Sequence, residues 1–349
     1  MTRLDQSSPR SSGAVRISAI ATHVPDDVLD NTMLEADFPS WSAGKIFDKT
    51  GIRERRIAAA QETALDLGCA AAAKLFIDGG IRPEEVDFLL FCTQAPDHFL
   101  PTSACIMQDR LGLPTHIGAL DFNLGCSGYV YGLSLASGLI ASGAARRVLL
   151  VTADTYSKYI HRGDKSVRTL FGDGAAATLI EAAAGDTGTI GPFIFGTDGS
   201  GANSLIVKAG AFRAPSTTET AIEVEDRDGN IRSEDNLYMD GGAVLSFTLR
   251  EVPRAYRKLL EISGTSPDDY DHVVLHQANK FMLDALQKKL KLGDEKMPRR
   301  FEDIGNTVSS TIPFVLAGLM EDGKLEAGTR IMVIGFGVGL SWAAASITF

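Results

Sequence analysis

The sequence predicts an α/β fold made of two similar halves, and three observations carry that expectation. Short apolar, β-branched runs alternate with longer segments of helical period, the pattern of strands buried between helix layers. Two strand-like stretches recur at nearly one spacing: 87–94 resembles 271–277 at an offset of 184, and 147–151 resembles 330–334 at 183. Of the 349 residues, 44% are hydrophobic and 22% charged, which is enough apolar side chain to bury a large core and excludes wholesale disorder.

Taken in order, the polar stretch 1–13 has no apolar run of signal-peptide type after it and reads as a disordered tail. A first half, 14–185, then holds strands at 15–22, 88–93, 117–123, 148–153 and 176–180. Its helices are 62–78, stopped by Gly79-Gly80, and 127–141, stopped near Gly143. The second half, 186–349, opens on a Gly-rich, charged stretch. A helix over about 243–262 follows, in which Pro253 predicts a kink or break. A strand at 273–275, an apolar helix reaching about Met320 and a β-rich run at 341–348 complete it.

The formal charge of -10 repels nucleic acid and anionic membrane surfaces, so an anionic ligand needs a local basic patch. Four cysteines without C-x-x-C spacing argue against a zinc ribbon or redox pair and fit a reducing cytoplasm. No run approaches the ~18 apolar residues of a membrane span.

Three side chains stand out as candidates. Cys126 lies in Phe122-Asn-Leu-Gly-Cys-Ser-Gly128, where a buried strand ends and a helix begins, so the helix N-terminus favours its thiolate. An inert core cysteine is the alternative, and that reading is kept for Cys69, Cys92 and Cys105. His276 closes a strand and begins His276-Gln-Ala-Asn279, at the C-terminal strand edge where α/β folds place ligands; a structural histidine is equally open on this evidence. The other five histidines have no comparable company. Asn306, in Gly305-Asn-Thr-Val-Ser-Ser310, can be a helix N-cap or a donor. Gly335-Phe-Gly-Val-Gly339 is not a dinucleotide loop, since ten residues are too few for the rest of a Rossmann unit. It reads as a tight turn able to present backbone N–H groups to an oxyanion.

Together, Asn-Leu-Gly-Cys126-Ser-Gly, His276-Gln-Ala-Asn, Gly-Asn306-Thr, Phe171-Gly-Asp-Gly174 and Thr50-Gly-Ile-Arg-Glu-Arg-Arg56 resemble, in order, the β-ketoacyl-ACP synthase III family of the thiolase-like superfamily. The resemblance implies a layered αβαβα fold with two five-stranded mixed sheets, one in each half, and a homodimer. It implies a decarboxylative Claisen condensation in which Cys126 takes an acyl group from acyl-CoA. Malonyl-acyl carrier protein then loses carbon dioxide, and His276 and Asn306 donate to the enolate. The acyl oxyanion would be held by the backbone N–H groups of Cys126 and of the turn at Val338. No metal or redox cofactor is implied. An acyltransferase or hydrolase using Cys126 without decarboxylation, and a non-catalytic carrier-binding scaffold, are the competing classes.

Departures from the family pattern bear on substrate. Lys45 stands where the family often has an adenine-stacking tryptophan, with Trp41 four residues earlier. Phe281 replaces an arginine implicated in carrier docking, although Lys280 adjoins it. Lys165, with Arg162 nearby, retains the basic residue expected at CoA or phosphopantetheine phosphates. Leu100, in the loop that the resemblance sends to the partner's active site, replaces a phenylalanine that closes the acyl pocket, and predicts starters longer than acetyl.

Overall fold

Asp87 donates its N–H to the carbonyl of Arg147 at 3.0 Å and accepts the N–H of Arg147 on its carboxylate at 2.9 Å. Asp271 does the same with Arg330, at 2.8 Å in each direction. The repeat seen in the sequence is thus a repeat of hydrogen bonding, each aspartate tying the starts of two parallel strands. In the computed structural model, residues 14–183 and 188–349 are described; the expected tail at 1–13 and the junction of the halves at 185/186 lie outside the described residues.

The first sheet contains β1 (Val15–His23), β2 (Phe88–Cys92), β3 (Gly118–Phe122), β4 (Arg147–Asp154) and β5 (Gly174–Ala182), in the spatial order β1-β5-β4-β2-β3. The second contains β6 (Thr189–Thr197), β7 (His272–Leu275), β8 (Arg330–Gly337) and β9 (Ser341–Thr348), in the order β7-β8-β9-β6. Register repeats with order: Phe88 faces Val148 in the parallel β2·β4 pair as His272 faces Ile331 in β7·β8. The remaining shared pairs are antiparallel in both sheets.

The second sheet has four strands where five were expected. The edge position beside β7 is occupied by chain running parallel to it, with His272 Nδ1 3.1 Å from the Glu295 carbonyl and the Arg300 N–H on the side-chain oxygen of Gln277 at 3.1 Å.

The longer helices of the layers among the described residues are α1 (Ala64–Gly79), α2 (Gly128–Ala141), α3 (Gly241–Ser263), α4 (Lys280–Leu290) and α5 (Thr311–Glu321). The Thr63–Asp66 capping box starts α1, and Gly80, at φ 60°, ends it. It covers the outer face of the first sheet, while α2 and α5 lie between the two sheets and α3, with α4, covers the second. Burial on both sides explains why α5 is apolar all round, Thr311 to Leu319 being buried without interruption. Helix α3 runs unbroken through Pro253. Its apolar stripe, Val244, Phe247, Val252, Ala255, Tyr256 and Leu259, keeps both flanks of the proline packed on the core. No helix among the described residues is long and apolar enough to cross a membrane.

Candidate active site

Cys126 follows β3 and immediately precedes Ser127, the N-cap of the central helix α2. Two glycines of the second half let the backbone of β8 press against it. A Cβ at Gly337 would stand 2.8 Å from both Cβ and Sγ of Cys126, and one at Gly335 2.7 Å from its carbonyl oxygen. These glycines answer to close packing of strand on helix start, and the turn proper is made by Gly339, at φ 73°.

His276 follows β7, its N–H on the Ile334 carbonyl at 2.9 Å and its ring edge-on to Phe336 at 5.4 Å. Nδ1 lies 2.7 Å from the hydroxyl of Thr311 at the start of α5. Asn306 is held by backbone rather than by a helix start: its N–H goes to the Leu170 carbonyl at 2.9 Å, and its carbonyl accepts the Gly172 N–H at 3.1 Å. That bridge requires a glycine at 172, where a Cβ would lie 2.1 Å from the Ile304 carbonyl oxygen. The Asn306 side chain meets the first residue of the 3-10 turn Val308–Ser310, which leads into α5. Its oxygen accepts the Val308 N–H at 2.9 Å, and Val308 sits at φ 55°, a strained conformation for a β-branched residue.

The three side chains meet in one cavity of about 240 Å³, lined also by Leu205, Met239, Val244 and Phe281. Cys126, His276 and Asn306 are 5%, 3% and 4% exposed, so all three are buried at the cavity wall. Burial pushes the Cys126 thiol up to about 12, with Asp154 adding to the rise and the N–H groups of Cys126 and Val338 opposing it. Burial therefore opposes the pull of the helix N-terminus toward the thiolate. Burial holds the His276 imidazole down near 3, neutral at any working pH.

Sequence reasoning gave no role to the residues that hold this arrangement. Arg55, fully buried, donates to the Thr169 carbonyl and to Asn31. Asp173 collects the N–H groups of Ala58 at 2.8 Å and Ser157 at 3.0 Å. Through them the Arg55 and Phe171-Gly-Asp-Gly motifs build the shelf that carries Asn306. Asp154, at the end of β4, accepts the Gln94 N–H at 2.8 Å and the hydroxyl of Ser309 at 2.5 Å; burial raises its carboxyl to about 7. Only a buried aspartate at a strand end signals it in the sequence.

An outer groove of about 580 Å³ shares Leu170, Asn279 and Phe281 with the inner cavity and carries Trp41, Lys49, Lys165 and Lys280. The indole of Trp41 therefore lies in the groove despite its displaced position, with the ammonium groups of Lys45 and Lys49 5.2 and 4.7 Å from its ring centre. Lys165 donates to the Asp228 carbonyl, whereas Arg162 turns to Asp37 at 3.0 Å and is absent from the groove lining. Leu100 is 87% exposed and does not line the Cys126 cavity of its own chain; neighbouring Phe99 packs on Phe212. Cys69 and Cys92 are buried, and burial raises both thiols, whereas Cys105 is exposed on the helix Ser103–Arg110 and is not the core cysteine expected. Among the described residues, no group of three or more His, Cys, Asp or Glu side chains could hold a metal ion.

Comparison with known proteins adds an independent line. Residues 120–199 match the family model described as 3-oxoacyl-[acyl-carrier-protein (ACP)] synthase III, and residues 260–349 match that of its C-terminal part. The β-ketoacyl-[acyl-carrier-protein] synthase III of Caldanaerobacter subterraneus subsp. tengcongensis is 33% identical over 96% of this chain and 97% of its own. That of Lactococcus lactis subsp. lactis is 34% identical over 95% and 98%. A crystal structure of a 3-oxoacyl-(acyl-carrier-protein) synthase III matches with a TM-score of 0.94 and 57% identity over 96% of this chain and 100% of that one. A 3-oxoacyl-(acyl-carrier protein) synthase from Burkholderia xenovorans matches with a TM-score of 0.88 and 38% identity, covering 97% of each chain.

Proposed function

The chain belongs to the 3-oxoacyl-[acyl-carrier-protein] synthase III family and is an acyltransferase-type condensing enzyme, and from that premise we propose that Cys126, His276 and Asn306 are its catalytic residues. The observation that carries this reading is their convergence on one cavity from two halves of the chain. The division of labour follows the halves: 14–185 supplies the nucleophile, and 186–349 supplies both donors.

In the first step, Cys126 sulfur bonds to the acyl carbon of an acyl-CoA, the bond to CoA sulfur breaks, and the thiol proton leaves on CoA. The acyl oxygen accepts from the N–H groups of Cys126 and Val338. Malonyl-acyl carrier protein then loses carbon dioxide, and the electron pair left behind forms an enolate that accepts from His276 and Asn306. Attack of that carbon on the acyl group breaks the bond to Cys126 and gives a 3-oxoacyl product. The Cys126 sulfur leaves as a thiolate and takes one proton from solvent to restore the thiol, so the steps balance with acyl-CoA, malonyl-acyl carrier protein and that proton, and no redox partner.

The outer groove suits the pantetheine and nucleotide parts of these substrates, with Trp41 offering a stacking face and Lys165 a phosphate contact; Arg162 reaches such a phosphate only by leaving Asp37. The exposed Leu100 loop closes the acyl pocket of a second copy in a homodimer, and the enzyme works in the cytoplasm. Intact-protein mass spectrometry after incubation with a panel of acyl-CoAs tests the first step. One acyl mass should appear on the native chain and on the Cys69→Ala, Cys92→Ala and Cys105→Ala variants, and none on Cys126→Ala. An adduct that survives Cys126→Ala overturns the assignment.

A further inference from the structure

His276 is neutral, so its ring has one proton, and the nitrogen that carries it decides whether the residue can donate to an enolate oxygen at all. Nδ1 is engaged by Thr311, which is buried at the first turn of α5. The Thr311 hydroxyl also has a single proton, and two acceptors lie within reach: Nδ1 at 2.7 Å and the Val308 carbonyl at 3.2 Å. If the carbonyl takes that proton, Nδ1 must donate to Thr311, and Nε2 is left as a bare lone pair facing the cavity. If Nδ1 takes it, Nε2 carries the ring proton. The second case is favoured because 3.2 Å lies beyond the ordinary range of a hydroxyl donor to a carbonyl, while 2.7 Å to Nδ1 is short enough for a direct bond. The ring's aromatic neighbour, Phe336, meets it edge-on and makes no competing hydrogen bond.

We propose that Thr311 is a positioning residue for decarboxylation: its hydroxyl donates to Nδ1 of His276 and fixes the ring proton on Nε2, toward the cavity shared with Cys126 and Asn306. The inference rests on the reading of His276 as the enolate donor. It also has a consequence for the first step. A neutral ring protonated on Nε2 presents no lone pair to the Cys126 thiol, so the thiol proton must leave on the CoA sulfur rather than be stored on His276.

The test compares the unmodified enzyme with Thr311→Val, which keeps the shape but removes the hydroxyl, and Thr311→Ser, which restores a hydroxyl. In nitrogen-15 NMR of histidine-labelled protein, with His276 signals identified by their loss in His276→Ala, the unmodified enzyme and Thr311→Ser should show a protonated Nε2 and a bare Nδ1. Thr311→Val should show a mixture. Labelled carbon dioxide release from malonyl-acyl carrier protein should fall about tenfold or more in Thr311→Val, less than the ~10²-fold expected when the donor itself is removed, and should recover in Thr311→Ser. Acylation of Cys126, measured by mass on the same samples, should stay within about threefold. A proton on Nδ1 in the unmodified enzyme, or undiminished release from Thr311→Val, overturns the proposal. Failure of the unmodified enzyme to acylate at Cys126 would instead overturn the functional reading beneath it.

Discussion

The side-chain oxygen of Asn306 accepts the N–H of Val308 at 2.9 Å, which leaves the amide nitrogen as the group free to face the cavity. Asn306→Asp keeps the shape and the bond to Val308 but replaces that donor by an acceptor. Carbon dioxide release from malonyl-acyl carrier protein should therefore drop by ~10²-fold or more, as should that of His276→Ala, while acylation of Cys126 continues. Undiminished release from both variants would make the two residues structural.

A thiol whose pKa is pushed to about 12 is almost wholly protonated at neutrality. Its thiolate fraction grows about tenfold per pH unit until the pH nears that value. Alkylation of Cys126 by iodoacetamide, followed by mass, should rise with that slope from pH 7 to 9, whereas a free thiol with a pKa of about 8.5 bends over in the same range. A plateau below pH 9 would show that the helix N-terminus prevails over burial.

Gly337→Ala adds a methyl group 2.8 Å from the sulfur of Cys126. Overpacking at such a contact costs about 1–3 kcal/mol, so the midpoint of urea unfolding should fall. The larger effect should be on chemistry, since the methyl group occupies the side of Cys126 from which Val338 donates. Acyl adduct formation should drop well beyond the loss of folded protein. A Gly337→Ala enzyme that acylates normally would mean that β8 yields at this point.

Leu100 and the oligomeric state are checked together. Light scattering should give twice the 37.2 kDa chain mass. Butyryl-, hexanoyl- or octanoyl-CoA should acylate at least as fast as acetyl-CoA, because each added buried CH₂ contributes about 0.8 kcal/mol where space exists. Leu100→Phe should shift preference back toward acetyl. A fully active monomer removes Leu100 from the pocket, and strict acetyl selectivity removes the argument from its size.

Much of this molecule could be read from local pattern. Cys126, His276 and Asn306 each sit at the end of a buried strand or in a glycine-bearing turn, and those signals are local. The Asp87 and Asp271 segments likewise carry their repeat in a few residues. What escaped was set by tertiary contact. The second sheet lacks a fifth strand among the described residues, and Pro253 did not break α3, whose flanks the core holds. The desolvation that opposes the thiolate depends on residues far along the chain, Gly337 among them. Trp41 reached the groove from a position that counting residues would have excluded, as the segment entering the short helix Ala43–Thr50 brings it there.

The press of Gly337 on Cys126 also gives the site a birth order. On the ribosome, Cys126 emerges roughly 210 residues before the strand that walls it, an interval of about 10–40 s at ~5–20 residues per second. During that interval the nucleophile exists without the N–H of Val338, and for most of it without His276 or Asn306. A nascent chain therefore cannot steady either an acyl oxyanion or an enolate. Catalytic competence therefore cannot precede the docking of β8 against the start of α2.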